Sequence, residues 1–120
     1  MSEIRIERRR FTRIALDLPV DVHQGGSVWR QRMTGICLGG VATDQPDLWD
    51  AQYNEPFTLV IHLDDRNTLE LHAYLQHVEA GMLGFSVEHV DSENIEALRN
   101  LLAAHIDDIA VLEEELKRLN

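Results

Sequence analysis

Residues 57–87 read FTLVIHLDDRNTLELHAYLQHVEAGMLGFSV, and the alternation in this stretch decides the fold class. Phe57, Leu59, Ile61 and Leu63 fall at every second position. After the polar turn 64–67 so do Leu69, Leu71, Ala73 and Leu75, and after the turn 79–81 so do Leu83, Phe85 and Val87. A period of two sends alternate side chains to opposite faces, so each run reads as a half-buried strand, and such short polar links predict antiparallel neighbours.

The same pattern holds upstream. Ile14, Leu16, Leu18, Val20 and Val22 share one face, while Ala15, Asp17, Pro19 and Asp21 share the other. Pro19 lacks an N–H and would interrupt a central ladder, which predicts an edge position or a bulge. Gln24, Gly25, Gly26 and Ser27 form a turn, and 28–33 returns as the second arm of a hairpin. Residues 34–43, TGICLGGVAT, read as a strand broken by Gly35, Gly39 and Gly40. Residues 44–56 then form a long connection that Trp49 and Tyr53 are expected to pin to the body. About six short strands at this spacing imply a mainly β chain, an antiparallel barrel or a compact sandwich.

The period changes at Asp91 and Ser92, either of which suits a helix N-cap. Ile95, Leu98, Leu102, Ile109, Leu112, Leu116 and Leu119 lie on a seven-residue repeat, with His105 its one polar member and Ile106 beside it. One helix over 91–120 is expected, its stripe packed on the chain's own sheet or, in its last turns 112–119, on a second subunit.

With 120 residues, 44% hydrophobic and 27% charged, the chain has the length and composition of one globular domain rather than of a multidomain enzyme. Its net charge of −10 opposes general DNA or RNA binding. No apolar run approaches membrane-spanning length, and the start MSEIRIERRRF lacks a secretory apolar core, so the expected location is the cytoplasm. The single cysteine, Cys37, fits a reducing compartment.

Charge is unevenly spread. Arg5, Arg8, Arg9, Arg10 and Arg13 are five of eleven cations; with Glu3 and Glu7 they leave residues 1–13 at +3 and residues 14–120 at −13. A purely arginine cluster suits phosphate and the Hoogsteen edge of guanine, both of which guanidinium grips with paired hydrogen bonds. Other chemistries have less support. The six histidines show no H-x-x-x-H pair and one cysteine makes no C-x-x-C, so no metal site is expected. His77 reads as a surface histidine, Cys37 has no neighbouring base, and Glu113, Glu114 and Glu115 read as a solvated helix face. No enzymatic activity is expected.

Arg9-Arg10-Phe11-Thr12-Arg13 contains R-x-x-x-R, and Gly35-Ile36-Cys37-Leu38-Gly39-Gly40 follows about twenty residues later. In this the sequence resembles the PilZ family, whose members carry R-x-x-x-R in an N-terminal arm and [D/N]-x-S-x-x-G on the barrel and bind the bacterial second messenger cyclic di-GMP. The likeness covers nearly the whole chain and is greatest to small proteins made of one PilZ domain. It implies a six-stranded antiparallel barrel over 14–90, a flexible basic arm over 1–13 and a C-terminal helix over 91–120. Carried across, Arg9 and Arg13 match the motif arginines, Arg8 and Arg10 flank them, and Gly40 matches the closing glycine. Gly35 stands where the family has Asp or Asn, and Cys37 where it has Ser. The implied ligand-binding set is therefore Arg8, Arg9, Arg10, Arg13, Gly35, Cys37 and Gly40.

A carboxylate at position 35 would accept from the guanine Watson–Crick edge or orient an arginine; losing such a charged hydrogen bond costs about 1.5 to 3 kcal/mol, roughly ten-fold to over a hundred-fold in affinity. Cys37 is a weak donor and acceptor. These departures predict weaker binding than in a full-motif domain, or none. The resemblance implies a receptor or adaptor, monomeric or weakly dimeric, without a cofactor. It would close its arm on cyclic di-GMP and signal to a motility, chemotaxis or biofilm protein. The alternative is a degenerate PilZ domain that acts through protein contacts alone.

Overall fold

Alternating runs leave a sheet with one apolar face, and closing that sheet on itself buries the face without exposing an edge. A computed structural model of the chain, which describes residues 12–106 and 108–118, shows this solution. The strands are β1 (Ile14–Gln24), β2 (Ser27–Cys37), β3 (Gly40–Asp44), β4 (Phe57–His62), β5 (Thr68–Glu79) and β6 (Met82–His89). They are antiparallel in the order β1-β2-β3-β6-β5-β4, and pairing of 20–23 of β1 with 58–61 of β4 closes the barrel. Two helices follow, α1 (Ser92–Ala103) and α2 (Ile109–Arg118).

The period of two carries directly into burial. Phe57, Leu59 and Ile61 are buried between half-buried Thr58, Val60 and His62, and Leu69, Leu71 and Ala73 of β5 face the same core. Pro19 stands next to a register shift between Ala15 and Leu18, and the β4 ladder begins only at Val20, so Pro19 is paired with β2 alone. Gly25 takes a φ of +58° in the two-residue turn that sets Gln24 opposite Ser27.

Three details differ from the sequence reading. The run 34–43 does not form its own strand: 34–37 complete β2, and the break falls at Leu38 and Gly39. The long connection is held by Trp49, whose ring packs 4.7 Å from Trp29 and stacks 5.9 Å from Phe57, while Tyr53 is 56% exposed. The C-terminal stretch is two helices rather than one. Asp108 Oδ1 accepts the Ala110 N–H at 3.0 Å and starts α2, while Ile106 turns inward at the break. The interruption shifts the stripe, leaving Ile109 48% exposed and Leu112 fully buried on the core. α1 lies against β5, where Asn94 Oδ1 accepts the Glu70 N–H at 3.0 Å and Leu98 and Leu102 fill the core. No helix among the described residues is long and apolar enough to cross a membrane.

Candidate ligand-binding site

The antiparallel register of β1 on β2 determines what meets at one end of the barrel. Ile14 pairs with Ile36, so Arg13, just before β1, comes beside Cys37, the last residue of β2. Arg13 is exposed and close enough to act on the Cys37 thiol. The tight turn through Leu38 and Gly39 then returns the chain at Gly40, which pairs with Cys37 and, on its other side, with Ser86 of β6. Arg13, Cys37 and Gly40 therefore share one corner. Arg8, Arg9 and Arg10 lie outside the described residues.

Each glycine here has a separate reason. A Cβ on Gly40 would meet the Phe85 carbonyl oxygen at 2.7 Å, so only glycine lets β3 lie this close to β6. Gly35 sits within β2 between Ala15 and Ala42, next to a register shift that makes Thr34 an extra residue against β3. A Cβ there would stand 3.4 Å from the Ile14 carbonyl oxygen, an ordinary contact, so the fold does not demand glycine at 35.

Cys37 is 9% exposed. Burial pushes its thiol above the usual range; hydrogen bonds from the Gly39 and Gly40 backbone N–H groups and the charge of Arg13 act the other way, and Glu115 adds to the rise. The result is a neutral thiol that accepts from the turn rather than a reactive thiolate.

Glu115 corrects the sequence reading. The three consecutive glutamates read as one solvated face, yet Glu115 is 2% exposed, while Glu113 and Glu114 are accessible. Its Oε2 accepts the Thr12 backbone N–H at 2.9 Å and the Thr12 hydroxyl at 2.6 Å. Its Oε1 is buried without a hydrogen-bond partner among the described residues. Glu115 follows Leu112 by three positions and shares its face, a placement that becomes informative only once Leu112 is known to be buried. Thr12 carried no sequence signal beyond its place between Arg9 and Arg13. His77, expected at the surface, is exposed, and its ring lies over Gly84, where a Cβ would collide with it.

Residues 7–104 match the family model of the PilZ domain. The chain belongs to the PilZ family. PilZ domains typically bind cyclic di-GMP and in general serve as receptors or adaptors rather than catalysts. Among solved structures, this PilZ chain is similar to the Bacillus subtilis inhibitor of motility MotI/DgrA, with a TM-score of 0.62 and 19% identity over 80% of this chain and 52% of that one. It is also similar to the PilZ domain of CeSA from a cellulose-synthesizing bacterium, with a TM-score of 0.59 and 21% identity over 78% of this chain and 97% of that one. This PilZ chain spans about half the length of MotI/DgrA. At such identities the likeness is one of fold, and the six-stranded barrel is common to these PilZ proteins.

Proposed function

We propose that the chain is a receptor for cyclic di-GMP that changes conformation on binding and signals to a partner protein in motility, chemotaxis or biofilm control. The observation that carries this reading is the shared corner of Arg13 with Cys37 and Gly40, which joins the end of the arginine motif to the end of the barrel motif. Arg9 and Arg13 take guanine Hoogsteen edges bidentately, while Arg8 and Arg10 stack on purine faces or meet phosphate. Gly35 lets the ligand lie close to the strand, and Cys37 and Gly40 line the approach. Ordering residues 1–13 over the ligand changes the surface offered to the partner, and no chemical step is involved.

The second reading, a PilZ domain that no longer senses nucleotide and works through protein contacts, is favoured by two observations. Gly35 offers no carboxylate, and Cys37 offers a buried thiol, a weak donor and acceptor, where the family has serine. Calorimetric titration of cyclic di-GMP into the wild type, Arg9→Ala and Arg13→Ala decides between them. The receptor reading expects heat in the wild type that both substitutions abolish; no heat in the wild type leaves the adaptor, and heat that survives both removes the arginine clamp.

A further inference from the structure

Glu115 is a buried charge that neither ligand motif uses. Removing a carboxylate from water is costly unless donors replace the lost solvation. Here one residue, Thr12, supplies both donors to Oε2, and Oε1 has none among the described residues. Thr12 stands between the two motif arginines, so α2 grips the arm in the middle of its ligand motif. Thr12 immediately precedes Arg13, so the carboxylate that holds Thr12 stands at the corner where a bound anion would meet the arm.

We propose that Glu115 is an internal competitor of the anionic ligand, holding the arm through Thr12 and setting the affinity of the site from outside both motifs. This rests on the reading of that corner as the nucleotide site. Carboxylate and phosphate repel each other and recruit the same donors and cations, so each weakens the other's hold on the arm. Because Oε1 has no partner among the described residues, releasing the carboxylate to water also recovers solvation that its burial withholds. The coupling is reciprocal: a bound anion weakens the Glu115–Thr12 contact by the same factor by which that contact weakens the anion.

Glu115→Gln keeps the shape and removes the charge. Titrated with cyclic di-GMP beside the wild type, it should bind about ten-fold tighter, the scale of one charge-assisted hydrogen bond. Thr12→Val, which leaves α2 untouched, removes one of the two donors and should tighten binding about three-fold on the same scale. Should Glu115→Gln fail to fold, the threonine variant carries the test. Equal or weaker affinity in the folded variants overturns the proposal, weaker affinity making Glu115 a support for the arm instead. Inorganic pyrophosphate, an anion without guanine, separates this failure from failure of the nucleotide reading. Its titration midpoint at the Thr12 amide resonance should be lower in Glu115→Gln than in the wild type. If cyclic di-GMP binds neither protein while that difference is present, the nucleotide reading is lost and the competition stands; equal pyrophosphate midpoints overturn the competition.

Discussion

Gly40 and Phe85 approach so closely that a methyl group on the glycine would sit 2.7 Å from the Phe85 carbonyl oxygen. The neighbour is backbone within the β3–β6 ladder, where Val41 pairs with Phe85, and it cannot rotate away as a side chain would. Gly40→Ala should therefore destabilise the fold by about 2 kcal/mol, the scale of overpacking. Urea denaturation should show a lower midpoint with an unchanged slope. The closing glycine of the second motif thus has a structural role independent of any ligand, and lost binding in this variant would not by itself show a ligand contact.

Cys37 predicts a pH dependence on the alkaline side. Burial raises its folded-state pKa, so the folded chain keeps the thiol proton where the unfolded chain begins to release it. The unfolded state then binds fewer protons and stability falls as pH rises. The contribution is complete below the ordinary thiol value of about 8.5 and is lost between that value and the raised one. Thermal melts between pH 7 and 10 should show this slope in the wild type and a shallower one in Cys37→Ser. Alkylation by iodoacetamide at pH 7 should be slow until denaturant is added.

Trp49 and Tyr53 were alike in sequence, two aromatics in one polar connection, and the structure separates them. Trp49 stacks on Phe57 with its plane 12° away and tilts against Trp29, whereas Tyr53 is exposed. Trp49→Ala should cost about 2 kcal/mol, below the usual figure for a fully buried tryptophan because Trp49 is half-buried. Tyr53→Ser should fall within about 0.5 kcal/mol of the wild type. Thermal melts of the two variants check the contrast.

The strands were legible because burial on one face imposes a period of two that local sequence cannot hide, as 57–61 and 69–73 show. Strand order and closure were less so, since pairing of Val20 with Ile61 depends on partners far apart in sequence. The helical break is not legible in the sequence because the apolar repeat runs on across it, while the Asp108 cap that interrupts it resembles any surface acid. Within the candidate site, Arg13 and Gly40 were readable from motif spacing. Glu115 was not, because its burial depends on a contact with Thr12 across 103 positions. A block of three like charges conceals which member the helix turns inward.

Gly35 is where motif and structure allow the most direct improvement of the site. Its φ is not in the left-handed region, and a Cβ would meet the Ile14 carbonyl oxygen at 3.4 Å, so a side chain fits without displacing backbone. Aspartate there restores the acceptor that the family motif carries, able to take the guanine imino and amino hydrogens or to orient Arg13. Gly35→Asp should raise the affinity for cyclic di-GMP about ten-fold or more, the reverse of losing one charged hydrogen bond. The added charge, opposite Ala15 and two positions along β2 from the residue beside Arg13, would repel phosphate, so the gain appears only if guanine rather than phosphate is what position 35 faces. Calorimetric titration of wild type and variant at one ionic strength measures the difference, and an unchanged or poorer affinity would place this position off the base edge of the ligand.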